Sequence, residues 1–133
     1  MRIGQVAKAS GLGIETIRFY EKKGLIEEPA RRVSGYREYE EAVVPRLLFV
    51  RQAKNLGFTL REIKELLALR LDREASCGRV KRQAEAKIAD IEMRMKSLRR
   101  MKRALETLSS ACDERAPTSE CPILAALDRN NGL

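Results

Sequence analysis

Apolar residues recur along this chain at helical rather than strand spacing, and the breaks in that rhythm divide it into four segments. From Ile3 to Ile26 two short helical patterns flank Ser10-Gly11-Leu12-Gly13, where Gly11 and Gly13 can take positive φ and open a tight corner. On the second pattern Ile14 and Ile17 are expected to face inward. Glu15, Arg18 and Lys22, at steps of three and four, then share an outer face. From Pro29 to Tyr39 the helical period vanishes, which predicts a small hairpin or wing carrying Arg31, Arg32, Tyr36 and Arg37.

Glu40 to about Arg70 reads as two helices separated at Gly57. The second opens on Thr59-Leu60-Arg61-Glu62, a capping box in which the Thr59 hydroxyl and the Glu62 carboxylate satisfy each other's backbone amides. The fourth segment, Gly78 to Ala111, holds no proline and no internal glycine. It is far longer than the ~11–12 residues of an average helix. Ala84, Ile88, Ile91, Met95 and Leu98, then Met101, Leu105 and Leu108, form one apolar stripe among Lys, Arg and Glu. A single stripe cannot bury itself, and the only remaining helical stretch, Pro122 to Asp128, is too short to cover it. The stripe asks for a second copy in a coiled coil.

The expected fold is therefore mainly α. A winged helix-turn-helix head spans 1–70, a linker 71–77, an antiparallel coiled-coil dimerisation helix 78–111, and a loop with a short C-terminal helix 112–133. Packing of the stripe along the chain's own head is the competing reading.

Composition narrows the chemistry. The 133 residues carry 27 Lys and Arg against 19 Asp and Glu, a formal charge of +8, and no histidine. Triads and zinc sites built on imidazole are thereby excluded. Without an apolar run of membrane-spanning length or the block of a signal peptide, a cytoplasmic protein with no membrane partner is expected. The basic balance suggests a polyanionic partner. The outer face of the second helix has the dimensions to enter a major groove, where Arg18 could contact guanine or a phosphate, and the basic wing beside it would clamp phosphates. A plain αα-hairpin with solvated charges is the alternative.

The three cysteines are an odd number, which suits free thiols in a reducing compartment better than a disulfide framework. Cys77 and Cys112 lie 35 residues apart, five whole heptads, and so return to the same helix face. Within one continuous helix their sulfurs would be roughly 50 Å apart. An antiparallel pair instead brings each Cys77 beside the partner's Cys112, with Cys121 nine residues further on across a loop that Pro117 and Ser119 can turn. Three thiolates without imidazole select soft cations such as Hg(II) and Pb(II). A tetrahedral zinc site would need a fourth ligand from Asp113, Glu114, Glu120 or water. Incidental thiols, or small buried hydrophobes, are the plain alternative.

The run IGQVAKASGLGIETIRFYEKKGLI, then Arg31, Gly35-Tyr36-Arg37-Glu38-Tyr39 and LGFTLREIKELL, resembles the MerR family of transcriptional regulators over essentially the whole chain. The resemblance implies a homodimer seated on promoter DNA between two elements with an over-long spacer. It implies that effector binding distorts that DNA so that RNA polymerase engages both elements. Arg18, Tyr20, Tyr36 and Arg37, with Thr16 and Arg31, resemble the family's DNA-contacting residues. A cysteine at the start of the dimerisation helix, here Cys77, resembles the members that sense divalent ions. The spacing to Cys112 and Cys121, with Cys-Pro at the third, is most similar to the mercury-responsive branch, with lead and cadmium sensors next. The implied effector is Hg(II), alternatively Pb(II) or Cd(II), and the resemblance implies no enzyme. A thiol-redox regulator on the same fold and a coiled-coil adaptor with a basic head are the remaining readings.

Overall fold

A computed structural model of the chain describes residues 1–31, 35 and 37–129. It comprises helices α1 (Ile3–Ser10), α2 (Ile14–Lys22), α3 (Val43–Asn55), α4 (Leu60–Leu71), α5 (Cys77–Ser110) and α6 (Pro122–Asp128), with strands β1 (Ala30–Arg31) and β2 (Arg37–Glu38) between α2 and α3. The strands pair antiparallel, Ala30 opposite Glu38 and Arg31 opposite Arg37, as the wing. Two compact units emerge, residues 1–84 and 85–133.

In the first unit α1 packs on α2 and α3, and α3 on α4. Their shared core includes Val6, Ile17, Leu25, Leu47, Val50 and Ile63. The corner between α1 and α2 depends on Gly11, whose φ of 72° closes α1 as its amide donates to the Ala7 carbonyl at 2.9 Å. Arg51 on α3 donates to the Ser10 carbonyl at 3.3 Å, a cation placed on the negative end of α1. A Cβ at residue 11 would lie 2.6 Å from that guanidinium and displace it, but it is the positive φ that makes the corner require glycine.

Helices α2 and α3 end alike. Gly24 (φ 77°) and Gly57 (φ 92°) take the left-handed turn. The amides of Leu25 and Phe58 then reach back to the Tyr20 and Ala53 carbonyls, at 3.0 and 3.1 Å. The capping box at α4 forms as its spacing predicts. Glu62 N donates to Thr59 Oγ1 at 3.2 Å, and Thr59 N to Glu62 Oε1 at 2.8 Å.

Two expectations need correction. Ile14 is 39% exposed, whereas Ile17 is fully buried. Ile14 opens the first turn of α2, ahead of the point where the helix meets the core. The long helix begins one residue earlier than its pattern suggests, so Cys77 is its first residue rather than the end of a linker.

A polar group is built into the head's core. Glu21 of α2, 8% exposed, accepts a hydrogen bond from the Tyr39 hydroxyl with Oε1, and an ion pair from Arg37 Nη1 with Oε2 at 3.0 Å. One buried carboxylate therefore joins α2 to the strand end of the wing. Tyr39 itself is 2% exposed and serves as the wing's apolar anchor. The Tyr39 amide also donates to the Met1 carbonyl at 2.7 Å.

In α5 the apolar stripe lies open along one chain. Ile88, Ile91, Met95, Leu98, Met101 and Leu105 are all 40–62% exposed. Asp90 is flanked by two cations, with Lys87 Nζ at 3.4 Å and Arg94 Nη2 at 3.2 Å. Beyond the helix, α6 starts with Pro122 in its first turn, where the missing amide proton costs no helical bond.

Burial, followed by the hydrogen bond and charge of Glu21, pushes the Tyr39 phenol up to about 12, against a smaller opposing pull from Arg37. The unfolded chain ionises this phenol near its ordinary value of 10.0, so the stability it contributes is intact below about pH 10 and is lost as pH rises toward 12. Ultraviolet titration of tyrosinate should show a late-ionising step, and Tyr39→Phe should abolish it. A late step that survives Tyr39→Phe would reassign it.

Candidate nucleic-acid interface and thiol site

The outer face of α2 forms as its spacing predicts: Glu15, Arg18 and Lys22 are all exposed, and Thr16 beside them is half-buried. Tyr20 is different. It is 7% exposed and belongs to the head's core, because the position one step round the helix from Phe19 faces inward. The exposed aromatic on this face is Phe19, at 45%, with Lys23 Nζ 5.6 Å above its ring. The resemblance implies Tyr20 as a DNA contact, and the structure packs its side chain into the head's core.

Arg37 at the strand end of the wing faces the same region as Arg18. The two line one cleft of about 740 Å³ together with the start of α1 and Gly35. Arg37 is held from behind by Glu21, which fixes one guanidinium nitrogen and leaves the other donors of the fork to be directed outward. Arg31 sits opposite Arg37 in the strand pair. The side chain of Arg31, and Tyr36 altogether, lie outside the described residues. Glu21 and Phe19 escape the sequence reading. Glu21 has the look of an ordinary surface glutamate until Tyr39 and Arg37 are folded against it, whereas Phe19 could have been found by assigning the buried aromatic to Tyr20 from helical phase.

All three cysteines are free thiols, with Cys77 and Cys112 exposed and Cys121 half-buried. Cys77 opens α5 and Cys112 lies two residues past its end. The intervening 34-residue helix spans about 50 Å at 1.5 Å per residue. Among the described residues of one chain no three Cys, Asp or Glu side chains gather closely enough to hold an ion. The loop from Cys112 to Cys121 is built from successive turns. Asp113 Oδ1 accepts from Arg115 N at 3.1 Å, its carbonyl accepts from Ala116 N at 2.9 Å, and Glu120 N donates to the Pro117 carbonyl at 2.9 Å. Cys121 then serves as the N-cap residue of α6, its carbonyl accepting from Ala125 N at 3.0 Å.

At the other end, the start of α5 is tied to α4. Gln83 Nε2 donates to Glu65 Oε2 at 3.3 Å, and Arg79 lies 3.8 Å from Asp72. The segment carrying Cys77 is therefore bonded directly to the last helix of the head.

Residues 1–69 match the model of the MerR HTH family regulatory proteins, and residues 44–108 the model described as MerR, DNA binding. The mercuric resistance operon regulatory protein of Shigella flexneri is 44% identical over 133 residues, covering 100% of this chain and 91% of that protein. The HTH-type transcriptional regulator ZntR of Escherichia coli K12 is 39% identical, covering 96% and 92%. Among solved structures, the transcription regulator PbrR691 of Ralstonia metallidurans CH34 in complex with lead(II) aligns at a TM-score of 0.84. It shares 42% identity, covering 96% of this chain and 98% of that one.

If Arg18 reads a base edge, Arg18→Ala should weaken binding to a preferred duplex by ~1–3 kcal/mol while leaving binding to scrambled duplex less affected. Fluorescence anisotropy on both duplexes measures the difference. Equal losses on the two would make Arg18 a phosphate contact, and no loss would remove it from the interface.

Proposed function

The chain belongs to the MerR family of transcriptional regulators, and we propose that it is a homodimeric Hg(II) sensor acting on promoter DNA. The observation that carries this reading is the placement of free thiols at the two ends of a 34-residue helix whose apolar stripe is exposed along its length. Antiparallel pairing of two such helices covers both stripes. It also sets Cys77 of one chain beside the partner's Cys112 and the partner's Cys121.

The donor set fits a soft ion. Thiolates favour soft cations over magnesium or calcium, and the absence of histidine from the chain leaves sulfur as the dominant donor. The names of the mercuric resistance regulators support Hg(II). The lead(II) complex of a 42% identical relative keeps Pb(II) as the alternative, with Cd(II) on the same chemistry.

Coupling to DNA follows from the chain's own joints. Cys77 opens the helix that Gln83 and Arg79 bond to α4, so a change in how the two helices meet at Cys77 is delivered to the head. Arg18 and Arg37 grip the DNA in this reading, Thr16, Tyr20, Arg31 and Tyr36 are the further contacts that the family resemblance implies, and RNA polymerase is the partner at the distorted promoter. The effector acts only as far as it prefers the activating geometry, since equal affinity for both states would shift nothing.

Mixing two single variants tests the shared site. A heterodimer of Cys77→Ser and Cys112→Ser chains retains one complete set of three thiols and loses two ligands from the other. Tight Hg(II) binding should return at half the wild-type stoichiometry, read by thiolate-to-metal absorption and competition with a small thiol. Heterodimers that bind as poorly as either homodimeric variant would refute sharing between chains. A panel of Hg(II), Pb(II) and Cd(II) in the same assay ranks the ions, and a response confined to Cd(II) or Pb(II) would replace mercury as the effector.

A further inference from the structure

Both carboxylate oxygens of Glu21 are committed to the wing. Oε2 lies 3.0 Å from Arg37 Nη1, and Oε1 accepts from the Tyr39 hydroxyl. The two partners stand on either side of Glu38, one in β2 and the other just beyond it, so a single acid on α2 holds the strand end at two points. Exposure differs sharply across the ion pair. The Glu21 side chain is 4% exposed and that of Arg37 is 34%. Arg18, three residues before Glu21 on the same helix, is exposed. Helix α2 therefore carries a candidate DNA cation on its outer side and the tether of the wing on its inner side.

Glu21 bears on DNA binding in two opposite ways. As a negative charge beside Arg37 it weakens the pull of that guanidinium on a phosphate. As a fixed acceptor it holds a side chain of large rotamer freedom in place before any DNA arrives. The arrangement favours the second effect. An anion arriving from solvent meets the half-exposed guanidinium before the buried carboxylate, so attraction acts at contact distance and repulsion from further away. Only Nη1 is used by the pair, and the rest of the planar fork still offers donors for phosphate oxygens. Immobilising a rotamer-rich side chain on binding weakens affinity by a factor of roughly 2 to 13, a cost that a guanidinium already held in place avoids.

We infer that Glu21 is a positioning residue for DNA: without touching the duplex it fixes the guanidinium of Arg37, and the wing that carries it, relative to the outer face of α2. This rests on the reading of Arg37 as a DNA contact. It goes beyond that reading by making affinity for a polyanion depend on a buried group of the same charge sign as the ligand.

The sign of one substitution tests it. Removing an acid from a DNA-binding head tightens binding if charge alone matters, whereas Glu21→Gln should weaken binding by roughly 2- to 13-fold for each head if position matters. The measurement is fluorescence anisotropy of the full-length dimer on a duplex selected from random sequence by wild type. In an Arg37→Ala background Glu21→Gln should cost nothing further, because the group it positions is gone. Single neutral methylphosphonates locate the contact. The position that matters to wild type but not to Arg37→Ala should cease to matter to Glu21→Gln. Tyr39→Phe removes the phenol's bond and keeps the ion pair, so it should bind DNA like wild type whatever its melting temperature. Nuclear magnetic relaxation of the arginine Nε groups in the DNA-free wild-type dimer needs no variant, and it should find Arg37 ordered and Arg18 mobile. Equal mobility of the two, or Glu21→Gln binding as tightly as wild type while Arg37→Ala is weakened, refutes positioning and leaves the DNA reading standing. A loss from Glu21→Gln that persists in the Arg37→Ala background and is matched by Tyr39→Phe reduces Glu21 to a fold-stabilising group and refutes it equally. Arg37→Ala binding like wild type would remove the premise, and wild type that ignores duplex DNA would overturn the DNA reading itself.

Discussion

The length of one stiff helix constrains everything else in this protein. A chain segment of 34 residues in α-helical form holds its ends about 50 Å apart, and no side-chain rearrangement can shorten that. Cys77 and Cys112 are placed at those ends, so any chemistry requiring both must come from a second copy. The exposed stripe between them supplies the reason for a second copy to be there, because six large apolar side chains left 40–62% exposed form a surface that soluble monomers rarely carry. In the proposed function, thiol chemistry and association are two readings of the same element.

The head obeys a different logic. Its helices are short, and α1, α2 and α3 each run into a glycine at positive φ, Gly11, Gly24 and Gly57, a backbone conformation that other residues adopt only under strain. Rigid ends fix where the exposed face of α2 points. Among the described residues the wing pairs two residues on each strand, and it is anchored through Tyr39 and the carboxylate of Glu21. Truncating Glu21 would leave a buried phenol and a half-buried guanidinium without their partner, a loss larger than that of an exposed pair.

Much of this was legible in the amino-acid order because the governing signals are local. Helical periodicity, the Ser10–Gly13 corner, the Thr59–Glu62 capping box and Pro122 at the start of α6 each act within a few residues, and each appears where its spacing places it. What failed to be legible depends on tertiary phase. Ile14 shares the helical phase of the buried Ile17 yet stands 39% exposed, because it opens α2 ahead of the core. Glu21 meets Arg37 and Tyr39 across 16 and 18 residues, a pairing that no local pattern announces. The thiols lie between these cases: their heptad spacing is visible in the chain, whereas their convergence belongs to the proposed pairing of two copies.

The open stripe of α5 also makes thermodynamic stability a property of the population rather than of the individual molecule. Where folding of a long amphipathic segment is completed by pairing, dissociation and unfolding merge, and the melting temperature rises with protein concentration. Dilution then lowers the share of assembled molecules as well as their number. A cell holding few copies would therefore lose detection capacity faster than it loses protein.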